Sequence, residues 1–286
     1  MRLETRVDRK GGKEVIISGE KPTVIIGEGI NPTGKKFATA LINGDMKSIR
    51  EEAIGQVYAG ADMLDLNVSM VGVDEVSLLP EVVKVVMDAV DLPLSIDSSN
   101  LQALKAALEI YEGKPIINSV TGEERSLESV LPLVKEYGTA VIGLTMDEGG
   151  ISNDPEKRAS IARKIVERAD LLDIPAEDVI IDCLTLTIGT DVRGGLITIE
   201  SIRRVKEELG VNLTLGVSNI SFGMPDGNLI NNSFLPIAIS SGVTCPIVNV
   251  AKARPTVLAT DLLMGRDRVA TRYIEDYRRR SNNNKK

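Results

Sequence analysis

The sequence predicts a single-domain α/β fold, a (β/α)8 (TIM) barrel, and three observations support this prediction. First, short runs rich in β-branched and aliphatic residues alternate with longer amphipathic segments along the 286 residues. Second, several of the short runs are continuously apolar, as expected of parallel strands covered on both faces. Third, the runs recur at intervals of roughly 32 residues, about the length of one βα unit. Eight such units in about 250 residues are typical of a closed barrel; an open doubly wound sheet is the alternative.

The first 22 residues precede the first βα unit. Gly11 and Gly12 separate two short alternating runs, Thr5–Val7 and Glu14–Ile17, and this pattern predicts a β-hairpin. We expect the hairpin to cap the N-terminal end of the barrel, the end opposite to the one where active sites form in this fold.

Three regions are therefore predicted: a hairpin cap over residues 1–22, a barrel over residues 23–275 and a disordered basic tail over residues 276–286. The tail contains three consecutive arginines, three consecutive asparagines and two terminal lysines. Polar chain ends of this kind are commonly disordered unless something ties them down.

Eight short runs are the predicted barrel strands, because they are rich in Val, Ile and Leu and are followed by polar residues or turn residues. In chain order they are Thr23–Glu28, Met63–Val68, Pro93–Asp97, Pro115–Ser119, Ala140–Thr145, Val179–Asp182, Leu213–Val217 and Pro246–Val250.

Helical patterns lie between the predicted strands. Residues 45–60 carry their apolar side chains on one face at a period of 3.6 residues. Residues 80–90 have a similar stripe, and Pro80 suits the first turn of a helix that begins there. Asp154 followed by Pro155 is typical of an N-cap and the first helical residue.

Composition excludes several classes of function. With a net charge of −7 and no basic stretch apart from the tail, nucleic-acid binding is not expected. The chain has no histidine, which excludes Ser–His and Cys–His nucleophiles, and its two cysteines cannot form a thiolate-rich metal site. No signal-peptide pattern and no apolar stretch of about 20 residues is present. We therefore expect a cytoplasmic protein that binds neither a metal nor a membrane.

Nearly every predicted strand carries an uncharged polar or acidic residue at or near its C-terminal end. These residues are Glu28, Asp65, Asn67, Asp97, Asn118, Thr145, Asp182, Asn219 and Asn249. In a barrel those ends meet at one mouth, where ligands bind. Each residue alone could instead cap the next helix, but a set without Lys or Arg favours a ligand-binding mouth. Carboxylates and carboxamides suit a flat neutral heterocycle such as a pterin, whose N3–H and 2-amino group one carboxylate can accept together.

These strand ends resemble those of the methyltetrahydrofolate–corrinoid protein methyltransferases, within the wider pterin-binding barrels that include dihydropteroate synthase and the folate module of methionine synthase. The resemblance covers about residues 23–265. The motifs that carry it are, in chain order, Gly27-Glu28-Gly29-Ile30-Asn31, Leu64-Asp65-Leu66-Asn67-Val68, Ser95-Ile96-Asp97-Ser98, Ile117-Asn118-Ser119, Ile142-Gly143-Leu144-Thr145-Met146, Ile181-Asp182 and Gly216-Val217-Ser218-Asn219.

The resemblance implies an enzyme of one-carbon metabolism. Its reaction moves a methyl group between N5 of tetrahydrofolate (5-methyltetrahydrofolate when methylated) and the cobalt of a corrinoid. Because a corrinoid carrier normally supplies a histidine to cobalt and this chain has none, the corrinoid is expected on a partner protein. The family also implies a homodimer.

Carried over position by position, the resemblance makes Asp97, Asn118 and Asp182 the residues that hydrogen-bond the pterin ring. Asn219 is then the catalytic residue beside N5. Secondary contacts are expected from five further positions, Glu28, Asp65, Asn67, Ser218 and Phe222. In two places the chain departs from the family pattern: Gly29 stands where an arginine is usual, and Phe222 stands where a polar residue is common.

Three other functions stay open. One is a dihydropteroate-synthase-like or other pterin-binding barrel, although the Ser and Arg pattern that binds phosphate in that enzyme is not evident near the last strand. Another is an aldolase- or isomerase-type barrel, for which Lys252 is the candidate lysine. The third is a folate-binding protein without catalysis.

Overall fold

Eight parallel strands close into a barrel in the computed structural model of the chain, which describes residues 3–283. Among the described residues, five further strands lie outside the barrel. In chain order the strands are β1 (Thr5–Arg9), β2 (Glu14–Ile17), β3 (Ile26–Ile30), β4 (Met63–Asn67), β5 (Leu94–Asp97), β6 (Gly113–Lys114), β7 (Ile116–Thr121), β8 (Ala140–Leu144), β9 (Met146–Asp147), β10 (Gly150–Ile151), β11 (Val179–Asp182), β12 (Asn212–Gly216) and β13 (Cys245–Val248).

Helices connect the barrel strands and surround them. They are α1 (Lys35–Ile42), α2 (Met46–Ala59), α3 (Glu75–Met87), α4 (Leu101–Ile110), α5 (Glu124–Tyr137), α6 (Pro155–Asp170), α7 (Gly194–Leu209), α8 (Gly227–Ser241), α9 (Val250–Leu263) and α10 (Thr271–Asn283), with short 3₁₀ turns at Ala176–Asp178, Val217–Ser221 and Arg268–Ala270. In the described part of the chain, no helix is both long enough and apolar enough to cross a membrane.

The barrel order confirms the predicted fold. Around the barrel the strands follow one another as β3, β4, β5, β7, β8, β11, β12 and β13, and β13 pairs with β3 to close the ring. Each predicted strand overlaps the observed strand, and their ends agree to within three residues. The agreement follows from short, continuous apolar runs rich in β-branched residues, which suit strands covered on both faces.

The N-terminal hairpin closes the lower end of the barrel. β1 and β2 pair antiparallel with Thr5 opposite Ile17, and β6 adds a third strand that is too short to leave a pattern in the sequence. Val7 and Ile17 are buried against residues near the N-terminal ends of the barrel strands, including Met63 and Ile116. The opposite, C-terminal mouth is left open to a ligand.

The prediction that Pro80 begins a helix is wrong. α3 begins at Glu75, five residues earlier, and Pro80 lies inside it. Ser77 donates to the carboxylate of Asp74 just before the helix, at 2.7 Å, and the acidic Glu75 lies in the first turn, where it is favoured by the helix dipole. Pro80 therefore removes one backbone donor from a helix whose apolar face is buried. By contrast, the expected cap at Asp154 is present, because its side chain accepts from Glu156 N at 3.0 Å.

The prediction of a disordered tail from residue 276 is also wrong as far as residue 283, because these residues continue α10. Asp276 is buried and accepts from Arg254 Nε at 2.9 Å, Arg279 Nη2 at 2.7 Å and Arg280 Nε at 2.7 Å. Arg279 and Arg280 therefore pair with a carboxylate of their own helix, and Arg254 joins that carboxylate to α9. Residues 284–286 lie outside the described residues.

Candidate functional site

Three neighbouring strands place predicted site residues side by side at the C-terminal mouth. In the parallel register, Asn67 at the end of β4 lies opposite Asp97 at the end of β5. Asp97 in turn lies opposite Asn118 in β7. Because paired residues of neighbouring parallel strands project to the same face of the sheet, these three side chains lie next to one another.

Hydrogen bonds link these side chains to one another and to Asp65 and Ser95, which lie two residues earlier on β4 and β5. Asn67 Nδ2 donates to Asp97 Oδ2 at 2.7 Å, and Asn118 Nδ2 donates to Asp65 Oδ1 at 3.1 Å. Asp65 Oδ1 also accepts from Ser95 Oγ at 2.7 Å. We call Asp65, Asn67, Ser95, Asp97 and Asn118 the acidic group. Asp97 is not a helix cap, since α4 is capped by Asn100, which accepts from Gln102 N at 3.0 Å.

Burial makes both carboxyls of the acidic group hard to ionise. Burial, and after it the charge of Asp65, raises the pKa of Asp97 to about 7. Burial also raises the pKa of Asp65 to about 6, against the lowering effect of its hydrogen bonds from Ser95 and Asn118. The two carboxyls titrate as an interacting pair, so near neutral pH the group can accept hydrogen bonds and can also hold a proton.

Asp182 ends β11 and is buried at the same mouth. Its Oδ1 accepts from Leu184 N at 2.7 Å. Burial raises its pKa to about 6, while backbone hydrogen bonds from Leu184 and Gly216 and the charge of Arg158 lower it. Asp182 is therefore held by the main chain of its own turn, in an environment different from that of the acidic group.

Asn219 lies in the 3₁₀ turn that follows β12, together with Ser218. Ser218 Oγ donates to Glu28 Oε1 at 2.6 Å, which joins the ends of β12 and β3. Burial raises the pKa of Glu28, and the hydrogen bond from Ser218 opposes that rise. Nδ2 of Asn219 lies close to Gly216, since a methyl group at position 216 would be 3.2 Å from that nitrogen. Glu28, Ser218 and Asn219 form the second group at the mouth.

The predicted residues occupy two sides of the mouth. Glu28, Ser218 and Asn219 line a cavity of about 420 Å³ that extends between β3, α1 and α2. Asp97 lines another of about 650 Å³ over β5 and β7. The two sides interact electrostatically, because the charge of Glu28 contributes to the raised pKa of Asp65. Asn118 and Asp182 are both buried and line neither of these two cavities.

Asn249 and Phe222 complete the mouth, and Asn249 lines the same cavity as Glu28 and Asn219. Asn249 caps α9, since its side chain accepts from Lys252 N at 3.3 Å. Phe222 is 77% exposed on the rim, and its carbonyl accepts from Thr187 Oγ1 at 2.6 Å. The aromatic ring of Phe222 is therefore accessible to solvent at the rim of the mouth.

The glycine at position 29 has a steric explanation. Gly29 N donates to Gln56 Oε1 at 3.1 Å. A side chain at this position would collide with Glu52 and Gln56, which project from α2. The space that a side chain at position 29 would need is therefore filled by the neighbouring helix.

Sequence reasoning missed two residues that shape the mouth. Ser95 points inward two residues before Asp97, so the alternation of a strand could have identified it. Arg158 is completely buried in α6 and adjoins the Asp182 turn, but in the sequence it looks like one of several charges on an exposed helix face. In residues 3–283, no three His, Cys, Asp or Glu side chains are grouped as metal ligands.

Comparisons with known proteins agree with this geometry. The family described as pterin binding enzyme matches residues 27–249. A methylcorrinoid:tetrahydrofolate methyltransferase of Eubacterium limosum is 29% identical over 262 residues, which cover 89% of this chain and 96% of that protein. Methionine synthase of Mycobacterium leprae is 34% identical over 251 residues, but this chain spans only 21% of its length. Dihydropteroate synthase of Yersinia pestis superposes with a TM-score of 0.70 at 15% identity, covering 91% of this chain and 99% of that chain, which shows a shared fold.

Proposed function

Because the chain belongs to the family of pterin binding enzymes, we propose that it is a methyltransferase. Its reaction would move a methyl group between N5 of tetrahydrofolate and the cobalt of a corrinoid carried by another protein. The observation that carries the proposal is the end-to-end similarity to a protein named methylcorrinoid:tetrahydrofolate methyltransferase. The carboxylates and carboxamides that the strand ends bring together are consistent with it. The proposal also implies a cytoplasmic homodimer that acts in one-carbon metabolism.

The acidic group and Asp182 would hold the pterin ring. An ionised carboxylate accepts two neighbouring N–H donors, and a carboxamide can donate to a ring oxygen while accepting from a ring N–H. Asp97, Asn118 and Asp182 supply these functions from three strands. Hydrogen bonds of this kind to a charged group contribute about 1.5–3 kcal/mol each, and they act mainly on substrate binding.

Asn219 would act at N5. Transfer from N5 is difficult because the amine is a poor leaving group, and negative charge develops on that nitrogen. An amide donor beside N5 stabilises this charge most strongly in the transition state. The proton that N5 finally needs would arrive through water from a buried carboxyl group.

The rim offers a surface for the corrinoid-carrying partner. Large apolar side chains are exposed on loops and helix starts around the mouth, namely Val71, Val192, Leu196, Phe222 and Leu229. A protein that brings a corrinoid to N5 has to cover this rim, and burying these side chains would favour the complex.

The aldolase alternative finds no support. A lysine that forms a Schiff base is activated by burial or by a neighbouring cation, whereas Lys252 is exposed in the first turn of α9. For a dihydropteroate-synthase-like reaction, the supporting likeness is one of fold at 15% identity.

Titration of the purified protein with 5-methyltetrahydrofolate, with and without cob(I)alamin, tests the proposal. We expect calorimetric binding of the folate, and appearance of the methylcobalamin absorbance when the reduced corrinoid is added. Binding without transfer would indicate a folate-binding protein, and absence of binding would refute the whole assignment. Asp97→Ala is the control variant, because it removes the ring-binding carboxylate and should weaken binding.

A further inference from the structure

Arg158 is an arginine in α6 whose side chain is completely buried. Its Nε donates to the carbonyl of Ser152 at 2.6 Å. Its Nη1 donates to the carbonyls of Cys183 at 2.7 Å and Leu184 at 2.8 Å. Nη2 is buried without a hydrogen-bond partner among the described residues. Burying a guanidinium on main-chain carbonyls alone is costly, so the arrangement calls for an explanation beyond stability.

The two carbonyls that Nη1 binds belong to the residues directly after Asp182. Leu184 has a φ of +59°, in the left-handed region that a leucine rarely adopts. In this conformation its N–H donates back to Asp182 Oδ1 at 2.7 Å. Arg158 thus anchors the turn that orients the Asp182 carboxylate. Thr198 Oγ1 also donates to the Leu184 carbonyl at 3.2 Å, so the same oxygen is held from α6 and from α7.

Arg158 is also the nearby cation for Asp182. Its charge lowers the pKa of Asp182 against the larger effect of burial, and the other titratable groups nearby are Cys183 and Cys245. Burial raises the pKa of both thiols, that of Cys245 to about 12, so both stay neutral. The flanking strands β8 and β12 carry no ionisable side chain. Charge at this end of β11 therefore depends on Asp182 and Arg158.

We propose that Arg158 is a positioning residue for pterin binding: it holds the turn after β11 so that Asp182 meets the substrate ring as an oriented, ionised acceptor. This inference rests on the proposed function, because it needs a pterin in the mouth. Arg158 would not touch the ligand. Its effect would pass through Asp182, and so it should appear in substrate affinity and in the pH dependence of binding.

The test uses Arg158→Gln in the full-length protein, with 5-methyltetrahydrofolate binding measured by calorimetry from pH 5.5 to 8.5. We expect Kd at pH 7 to rise at least about tenfold, as for loss of an oriented charged hydrogen bond. We expect the pH at which binding is half lost to rise, because the cation that lowers the pKa of Asp182 is removed and the turn that donates to its carboxylate is loosened. The kcat with cob(I)alamin at saturating folate should change less than about threefold.

Two further variants separate this role from folding. Arg158→Lys keeps the charge with fewer donors, so it should recover the wild-type pH profile while binding more weakly than wild type. Arg163→Gln is the matched control, because Arg163 lies on the same helix and pairs with Glu208 at the surface. Its Kd and pH profile should equal those of the wild type.

The outcomes distinguish the two proposals. If the wild type does not bind 5-methyltetrahydrofolate, the proposed function fails. If the wild type binds and the Arg158 variants bind with unchanged Kd and pH profile, only the positioning role is overturned. Should Arg158→Gln not fold, Arg158→Lys is combined with Asp182→Asn. In that background the lysine variant should weaken binding no further, and an additive loss would overturn the role.

Discussion

Asp97→Asn should stabilise the free protein at alkaline pH and weaken its binding of the pterin. Burial, then the charge of Asp65, raises the pKa of Asp97 to about 7, whereas aspartate in an unfolded chain titrates near 3.9. Between these pH values the folded protein binds more protons than the unfolded chain. The free energy of unfolding therefore falls as the pH rises from about 4 to 7, and it stays reduced above that range.

The expected gain follows from the difference between the two pKa values. About three pH units at 1.36 kcal/mol each lower the free energy of unfolding of the wild type by at most about 4 kcal/mol at pH 8. The uncharged side chain would avoid this loss. At pH 5 the same calculation gives a loss of about 1.5 kcal/mol. Because Asp65 shares the titration, we expect a gain of about 2–4 kcal/mol at pH 8. The bond from Asn67 Nδ2, 2.7 Å long in the wild type, can be kept by the amide oxygen.

Urea unfolding at pH 8 and pH 5 measures the effect, with the free energy of unfolding obtained by linear extrapolation. Asp170→Asn is the matched control, because it removes the same charge from an exposed position at the end of α6. Calorimetry with 5-methyltetrahydrofolate at pH 8 should show a Kd at least about tenfold higher for Asp97→Asn, for loss of a charged acceptor. A destabilised variant at pH 8, or an equal gain at both pH values, would refute the reasoning.

Three further predictions concern other parts of the chain. Asn219→Ala should lower kcat by about 10²–10³-fold, as for loss of one transition-state donor, whereas Asp182→Asn should act mainly on KM; equal effects on turnover in a cob(I)alamin methylation assay would contradict this division. Asp276→Ala should lower the free energy of unfolding measured in urea by about 3 kcal/mol, because it leaves the largely buried Arg254 without its carboxylate. Glu275→Ala, at an exposed position, is the control and should change the free energy of unfolding by less than about 0.5 kcal/mol. Gly29→Ala should lower the free energy of unfolding by about 1–3 kcal/mol, because the added methyl collides with Glu52 and Gln56. Gly55→Ala, on the open side of α2, should instead raise it by about 0.5–1 kcal/mol. A thermal melt that ranks the two variants the other way would show that α2 moves to accommodate the methyl group.

The barrel was predictable because its information is local and repeated. A continuous apolar run such as that of β8 can be buried only between two layers, and eight repeats at one spacing leave few topologies. The grouping of Asn67, Asp97 and Asn118 was predictable for the same reason, since they are paired in register on adjacent parallel strands. The register of the strands alone brings these side chains together.

The misses depend on contacts that no local pattern contains. Residues 276–283 look like a free basic end until Arg254, more than twenty positions away, is brought to Asp276. Arg158 looks like a surface charge until the fold places main-chain carbonyls of Cys183 and Leu184 around it. Asn249 fits both interpretations of its position, because its side chain caps α9 and the residue also lines the cavity beside Glu28 and Asn219.

Although the chain has no histidine, the mouth contains carboxyl groups that titrate near neutral pH. A free histidine has a pKa near 6.5, and burial brings the pKa of Asp65 and Asp182 to about 6 and that of Asp97 to about 7. A carboxyl in this range is protonated often enough to supply a proton, and it adds no positive charge to the mouth. Negative charge that develops at N5 would be repelled by fully ionised carboxylates and is tolerated beside neutral ones. We infer that the same burial that costs the free protein stability also prepares a carboxyl group of this mouth to supply, through water, the proton that Asn219 cannot provide.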